Sequence, residues 1–536
     1  MNQRTKNGEE QPKLRQFHQA RWNEPIIFEL SREGERALLV PEVEPEIREQ
    51  VGNVLATLPE MMHRRSPPNL PELSQPQVVR HYLRLSQENL GADLNIEIGQ
   101  GTCTMKYSPK INDQLAGTEQ MADIHPLQDI ETVQGILQIM YRFEQMLKEI
   151  SGMDRFSLQP SAGSAAIYTN VSMIRAYHQA RGEAKQRDQV ITTIFSHPSN
   201  AACARTAGYK IITLYPDQDG YPDLEALKAA VSERTAALLI TNPEDTGIFN
   251  PRISEFVEVV HQAGGLCSYD QANANGILGI TRAREAGFDL CHFNLHKTFS
   301  TPHGCGGPGG GAVGVTRELA RFLPTPVVAF DGEMYHLDYD RPDSIGKIGP
   351  FYGVAPVVLK AYAWVMSLGA EGLRKVAETA VLNNNYLLKK MERIRGVCAP
   401  YAKGKRRIEQ VRYSWETLAQ DTGVHSEELG IRAADFGVHY WTSHHPFVVP
   451  EPCTLEPTES FSKDDIDEYA AILAHVAHEA YTNPELVKTA PHNSTIHTID
   501  HRSLDDPSQW AITWRAYLRK VREQPVPPIE SCKNMR

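Results

Sequence analysis

The sequence predicts an α/β fold: a large, mainly parallel sheet with helices on both faces, and a smaller C-terminal α+β domain. Three observations predict it. Between about 155 and 320, short β-rich runs alternate with helical stretches: VITTIF (190–195), KIITLY (210–215), AALLIT (236–241) and LCSYD (266–270) are the runs, and DLEALKAAVSE (223–233) and PRISEFVEVVHQAG (251–264) the clearest helices. Strands that alternate with helices build βαβ units, which pair in parallel. Beyond about 355, VVLKAYAWVMSLGAEGLRKVAETAVLNNNYLLKKMERI reads as long helices, and about 395–480 mixes short strands and helices. Finally, 536 residues suffice for a large core and more than one domain.

Residues 1–75 are rich in Pro, Glu and Arg, and SPPNLPELSQPQ reads as an extended arm. A helical segment, 76–150, follows, with VVRHYLRLSQENL at its start and a stronger 3.6-residue period in ETVQGILQIMYRFEQMLKEI (131–150). The large α/β domain is expected over 151–355, helices and the small domain over 356–480, and a partly periodic surface extension over 481–536. No internal repeat is visible.

Composition narrows the function. The chain is 41% hydrophobic and 23% charged, ordinary for a soluble globular protein. A formal net charge of −11 gives no electrostatic reason for nucleic-acid binding. No uncharged apolar run reaches 18 residues, so no membrane span is expected, and MNQRTKNGEEQPK lacks a signal-peptide hydrophobic region. The eight cysteines are scattered without a CxxC pair, so neither a disulfide framework nor a metal site is expected, and a reducing cytoplasm fits. Cys305, in a glycine-rich segment, reads as a small residue in a tight loop or as a thiol of interest.

Ligands of such sheets bind at the carboxyl ends of the strands, and the unusual residues fall in the turns that follow the β-rich runs. The densest signal is NLHKTFSTPHGCGGPGGGAVGV, 294–315. Lys297 lies just after the apolar FDLCHFNL, where desolvation would help the amine lose its proton and attack an aldehyde. The glycines would let the backbone approach a ligand closely; a solvated lysine beside a flexible turn is the plainer alternative. Asp270, ending a strand 27 residues earlier, would hold a pyridinium nitrogen protonated and make its ring an electron sink, or would merely cap the next helix. In QPSAGSAAIYTN, Gly163, Ser164 and Ala165 would offer backbone N–H groups and a hydroxyl to a phosphate at a helix N-terminus, or form an ordinary cap. His197 after FS would stack on a ring or be structural. Asn242 in TNPEDTG lies within reach of a cofactor hydroxyl or is a turn residue. Together, at successive strand ends, they point to pyridoxal phosphate.

The order of small-residue turn, His, Asn-containing turn, Asp and HK resembles fold-type I enzymes that use pyridoxal phosphate. More narrowly, NLHKTF…PHG.GGPG resembles the lysine motif of the glycine decarboxylase P-protein family of the glycine cleavage system. TCTMKYSPKIN (102–112), HPLQ..ETVQG (125–135), MIRAYHQARG (173–182), FYG (351–353) and LEPTES (455–460) are similar to the C-terminal half of that family. The resemblance covers about 75–495, and the length is about half that of a full P-protein, as in subunit 2 of the two-subunit form. It implies Lys297 as the Schiff-base lysine, Asp270 as partner of the pyridine nitrogen and His197 as the stacking imidazole. Asn242 or Asn273 would lie near the ring hydroxyl, and His296 with the 163–165 turn near the phosphate. The implied activity is loss of CO2 from glycine and transfer of the aminomethyl group to the lipoyl arm of H-protein. The implied partners are a cofactor-free subunit 1-like chain in an α2β2 assembly, or a second copy in a homodimer.

The sequence departs from the family at defined places. AGSAAI stands where AGAHGE or AGAQGE is usual, so Ala165 replaces the His or Gln and Ile167 the Glu. SHPSNAAC stands for AHGTNPAS, and KIGPFYGV for RVRAFYGN, leaving Arg341 and Lys347 as possible carboxylate or partner contacts. A paralogue acting on another amino acid or acceptor, an aminotransferase or lyase, and a catalytically silent assembly subunit are the alternatives. Intact Lys297 and Asp270 weigh against the last.

Overall fold

A computed structural model describes residues 14–66, 68–91, 93–99, 106–303, 307–440 and 448–495; Cys305 lies outside them. Its centre is a seven-stranded sheet built from β1 (Arg155–Ser157), β2 (Gln189–Thr193), β3 (Lys210–Leu214), β4 (Thr235–Thr241), β5 (Leu266–Gln271), β6 (Leu290–Asn294) and β7 (Gly311–Val315). The order is β1-β7-β6-β5-β4-β2-β3. Strands β3, β2, β4, β5 and β6 are parallel, whereas β7 runs antiparallel to both β6 and β1. Every residue of β5 and β6 is buried, as central strands covered on both faces require.

Strand β7 lies inside the glycine-rich stretch that reads as loop in the sequence. Glycine is needed there, because a Cβ at Gly314 would come within 2.4 Å of the Phe156 ring on β1.

The helices follow the periodicity. Helix α1 (Gln75–Gln87) starts at a capping box formed by Ser74 and Gln77. Helix α2 (Gln134–Ser151) buries Ile136, Leu137, Met140, Phe143 and Leu147 and stops at left-handed Gly152. Helices α3 (Gly163–Ala180), α4 (Ser199–Thr206) and α5 (Ile253–Gln262) cover the sheet. Helix α6 (Ala355–Met391) breaks at Gly369, with φ of 62°, and serves two cores. Its first half joins the sheet's core through Val357, Trp364 and Leu373. Its last turns join a second core through Leu387, Leu388 and Met391.

That second core contains the antiparallel pair Val411–Ser414 and Pro452–Leu455, with Tyr413, Trp415 and helix α7 (Lys463–Thr482). Helix α7 runs past 480, and Pro484–Lys488 forms one more short helix. Near the N-terminus the chain divides in two. Residues close to Trp22 are tied down: Trp22 Nε1 donates to Gln87 at 2.9 Å, and Arg21 donates to the Ser494 carbonyl at 2.7 Å. From 36 to 70, by contrast, every described residue is exposed. No described helix is long and apolar enough to cross a membrane.

Candidate active site

The carboxyl ends of β5 and β6 and the N-terminus of α3 converge on one cleft with about 520 Å³ of empty space, part of it open to solvent. Gly163, Ser164, His197, Asp270, His296 and Lys297 all line it. Three further predicted residues do not. Ala165 sits on the first turn of α3, outside the lining. Asn242 is buried and tied to Asn250, accepting its N–H at 2.8 Å and donating to its carbonyl at 3.2 Å. Asn273 donates to both oxygens of Glu456, at 2.8 and 2.9 Å, across to the C-terminal elements. Arg341 pairs with Asp338 at 3.3 Å, and Lys347 lies 5.7 Å from the Tyr339 ring centre; neither lines the cleft.

Asp270 is the best-supported group. Its Oδ2 accepts from Asn200 Nδ2 at 2.8 Å, its Oδ1 from the Ala272 N–H at 3.0 Å, and His292 Nε2 lies 3.2 Å from Oδ1. Burial pushes the carboxyl up, but His292, the Asn200 amide, the Ala272 N–H and His197 outweigh it and hold Asp270 below its ordinary range. His292 is itself driven down by burial and by Lys297, against the pull of Asp270. The Asn200 amide and the Ala272 N–H favour the ionised carboxylate by donating to it, whatever the charge on His292.

Lys297 follows β6 in a tight turn, its N–H donating to the Asn294 carbonyl at 3.1 Å. His296 beside it is buried and, through burial, Lys297 and His303, pushed down to about 3, hence neutral. Its Nδ1 accepts the Gly310 N–H at 3.2 Å, and its ring lies 4.3 Å from that of His303. His197 is exposed, its Nδ1 2.7 Å from Ser199 Oγ, which in turn is 2.9 Å from Ser164 Oγ.

Asn200, His292, Asn294, Ser199 and His303 were not singled out by sequence. Asn200 had a signal, since it lies one turn after His197 on α4. His292 had none: only the β5–β6 register sets Asp270 against His292.

Residues 169–334 match the family described as aminotransferase class-V, and residues 376–498 that described as glycine dehydrogenase, C-terminal domain. Over 510 residues the chain is 47% identical to the probable glycine dehydrogenase (decarboxylating) subunit 2 of Pyrococcus abyssi, covering 95% of this chain and 99% of that one. The chain belongs to the glycine dehydrogenase (decarboxylating) subunit 2 family. Its relative of the same name from Caldanaerobacter subterraneus is 44% identical over 476 residues, covering 89% of this chain and 96% of that one. The crystal structure of glycine decarboxylase (P-protein) of the glycine cleavage system, in inhibitor-bound form, matches with a TM-score of 0.69 at 22% identity. It covers 82% of this chain and 100% of that one, and at such identity the likeness shows the fold.

Pyridoxal phosphate, the cofactor of this family, fits the cleft on observations internal to it. The first N–H groups of an α-helix have no intrahelical acceptor, so 163–165 present donors to a phosphate. The approach there is close, because a Cβ on Gly163 would lie 2.6 Å from Asn294 Nδ2. Asn294 Oδ1 and His303 Nδ1, both lining the cleft, are buried without a protein hydrogen-bond partner. An amine, an ionised buried carboxylate and an anion cradle are the donor set such a cofactor requires.

Proposed function

We propose that the chain is the cofactor-bearing subunit of a glycine decarboxylase, releasing CO2 from glycine and passing the aminomethyl group to the lipoyl arm of an H-protein. It would act with a subunit 1-like chain. One observation carries the reading: Lys297, Asp270 and the helix start at Gly163 and Ser164 meet in one cleft of a chain that aligns over 95% of its length with a relative of that name.

When bound, the cofactor's ring would draw electrons from the substrate's α-carbon, which is what decarboxylation needs. The chain's own groups supply the rest. Lys297 Nζ would hold the cofactor's aldehyde and yield it to the substrate's amino group. Asp270, ionised, would keep a proton on the ring nitrogen. Gly163, Ser164 and Ala165 would bind the phosphate through N–H groups, and His197 offers an exposed imidazole for stacking. Neutral His296 would contribute hydrogen bonding rather than charge.

Ile167, buried and lining the cleft, is an apolar side chain where the resembled family has Glu, and it favours a second reading with another amino-acid substrate. One assay separates the two. The chain, a subunit 1-like partner and lipoylated H-protein are mixed with glycine and labelled bicarbonate, and carbon exchange is followed. Exchange abolished by Lys297→Ala is expected. Turnover of a different amino acid with no glycine exchange would refute the first reading and establish the second.

A further inference from the structure

Asp270 and His197, which would meet the cofactor's ring, are both held from the first turn of α4. Asn200 Nδ2 donates to Asp270 and also, at 3.2 Å, to the His197 carbonyl. Ser199, one residue earlier, holds the imidazole itself. Its backbone N–H donates to His197 Nδ1 at 3.1 Å, and its hydroxyl lies 2.7 Å from the same nitrogen. Pro198 between them has no N–H to compete, and its ring fixes φ, here −53°. The Ser199 hydroxyl is in turn 2.9 Å from that of Ser164 on α3.

A backbone N–H can only donate, so His197 Nδ1 must accept. A neutral imidazole has one N–H and one acceptor nitrogen, which leaves the proton on Nε2. The direction of the whole chain of hydrogen bonds follows. Ser199 has a single hydroxyl proton and gives it to Nδ1, so the proton between the two hydroxyl oxygens comes from Ser164. The reverse order would set an Nδ1–H against the Ser199 N–H. The Ser164 hydroxyl proton is thus committed to Ser199, and a phosphate at this helix end would take backbone N–H groups instead. Ser199 is buried, whereas His197 is exposed. An exposed imidazole without such donors would sample several rotamers and both tautomers, and ordering it would offset part of what stacking returns. We infer that Ser199 is a positioning residue of the cofactor site: its N–H and hydroxyl hold the His197 imidazole in one plane and one tautomer before the cofactor arrives. The inference rests on the stacking role given to His197 under the proposed function.

The test compares the full-length wild type with Ser199→Ala, Ser199→Thr, His197→Ala and the double variant Ser199→Ala/His197→Ala. Affinity for pyridoxal phosphate is measured by absorbance titration. The ring nitrogens of His197 are followed by NMR in the cofactor-free chain carrying isotope-labelled histidine, at about pH 8.5, where an ordinary imidazole is neutral. The signals missing from His197→Ala assign them. Expected in the wild type are a proton on Nε2 and an Nδ1 signal that shifts in Ser199→Ala and returns in Ser199→Thr. Ser199→Ala should bind the cofactor about fivefold more weakly, the worth of one hydrogen bond. Threonine keeps the hydroxyl and should restore the affinity. His197→Ala should bind at least as weakly as Ser199→Ala, and the double variant no more weakly than His197→Ala alone. A proton on Nδ1, or an Nδ1 signal indifferent to Ser199→Ala, would overturn the inference. So would a loss from Ser199→Ala that persists on top of His197→Ala, which would assign Ser199 to the phosphate side through Ser164. If His197→Ala weakens binding and Ser199→Ala does not, stacking stands and the inference falls. If His197→Ala binds as well as the wild type, the stacking role falls and the inference with it.

Discussion

Replacing Glu244 by Gln should stabilise the protein, increasingly so as pH rises. Glu244 lies in the turn after β4, fully buried; its carboxyl accepts from the Thr193 hydroxyl, and its backbone carbonyl accepts from Gln410 at 3.1 Å. Burial, opposed by the Thr193 hydrogen bond and the Arg412 charge and assisted by Asp245, pushes the carboxyl from its ordinary 4.5 up to about 8. Between these values the unfolded chain carries the group ionised while the folded chain keeps it protonated. Folding therefore takes up a proton, and stability falls as pH rises from about 4.5 to about 8, then levels off. At about 1.4 kcal/mol per pKa unit, the gap sets a ceiling of about 5 kcal/mol. Gln keeps the acceptor for Thr193 and removes the titration. Urea unfolding of both proteins from pH 5 to 9 measures the difference directly. The variant should match the wild type near pH 5 and exceed it by several kcal/mol at pH 9. A difference that does not change with pH, or a variant less stable at pH 9, would refute the reasoning.

Further predictions concern the cleft and one surface pair. Gly163→Ala places a Cβ within 2.6 Å of Asn294 Nδ2 and should weaken cofactor binding tenfold or more by absorbance titration, with little change in unfolding midpoint. Asn200→Ala removes a charge-assisted hydrogen bond of about 1.5–3 kcal/mol from Asp270. The Asp270 carboxyl should rise, and the absorption band of the loaded protein should titrate at higher pH; an unmoved titration would count against Asn200 as a positioning residue. His261 is raised by its hydrogen bond to Asp289 at 2.7 Å, so its stabilisation is complete below the unfolded value near 6.5 and lost as pH rises through the folded one. At 37% side-chain exposure that pair is screened, so His261→Gln should cost under about 1 kcal/mol at pH 5.5 and nothing at pH 9.

The parallel strands were legible because each is a short apolar run bounded by turns, and helix α2 because its apolar period is strong. Strand β7 was not, because its glycines answer to Phe156 on another strand rather than to any local preference. Lys297, Asp270, His197 and the 163–165 turn could be picked out as residues following strand ends, where the chemistry of a parallel sheet collects. Asn242 was singled out on the same rule, yet its side chain is spent on Asn250 and does not line the cleft.

By itself, then, the sequence pointed to the chemistry proposed for the chain, since a lysine after an apolar strand, a strand-end carboxylate and a glycine-bearing helix start are local in character. Only the tertiary structure decided how that chemistry is tuned. Asp270 stays ionised through Asn200, 70 residues away, and faces His292 through strand register; Asn273 and Asn275 are held by Glu456, more than 180 residues away. Such contacts depend on which strands are neighbours and on how much water burial removes, and neither is written in any local stretch of chain.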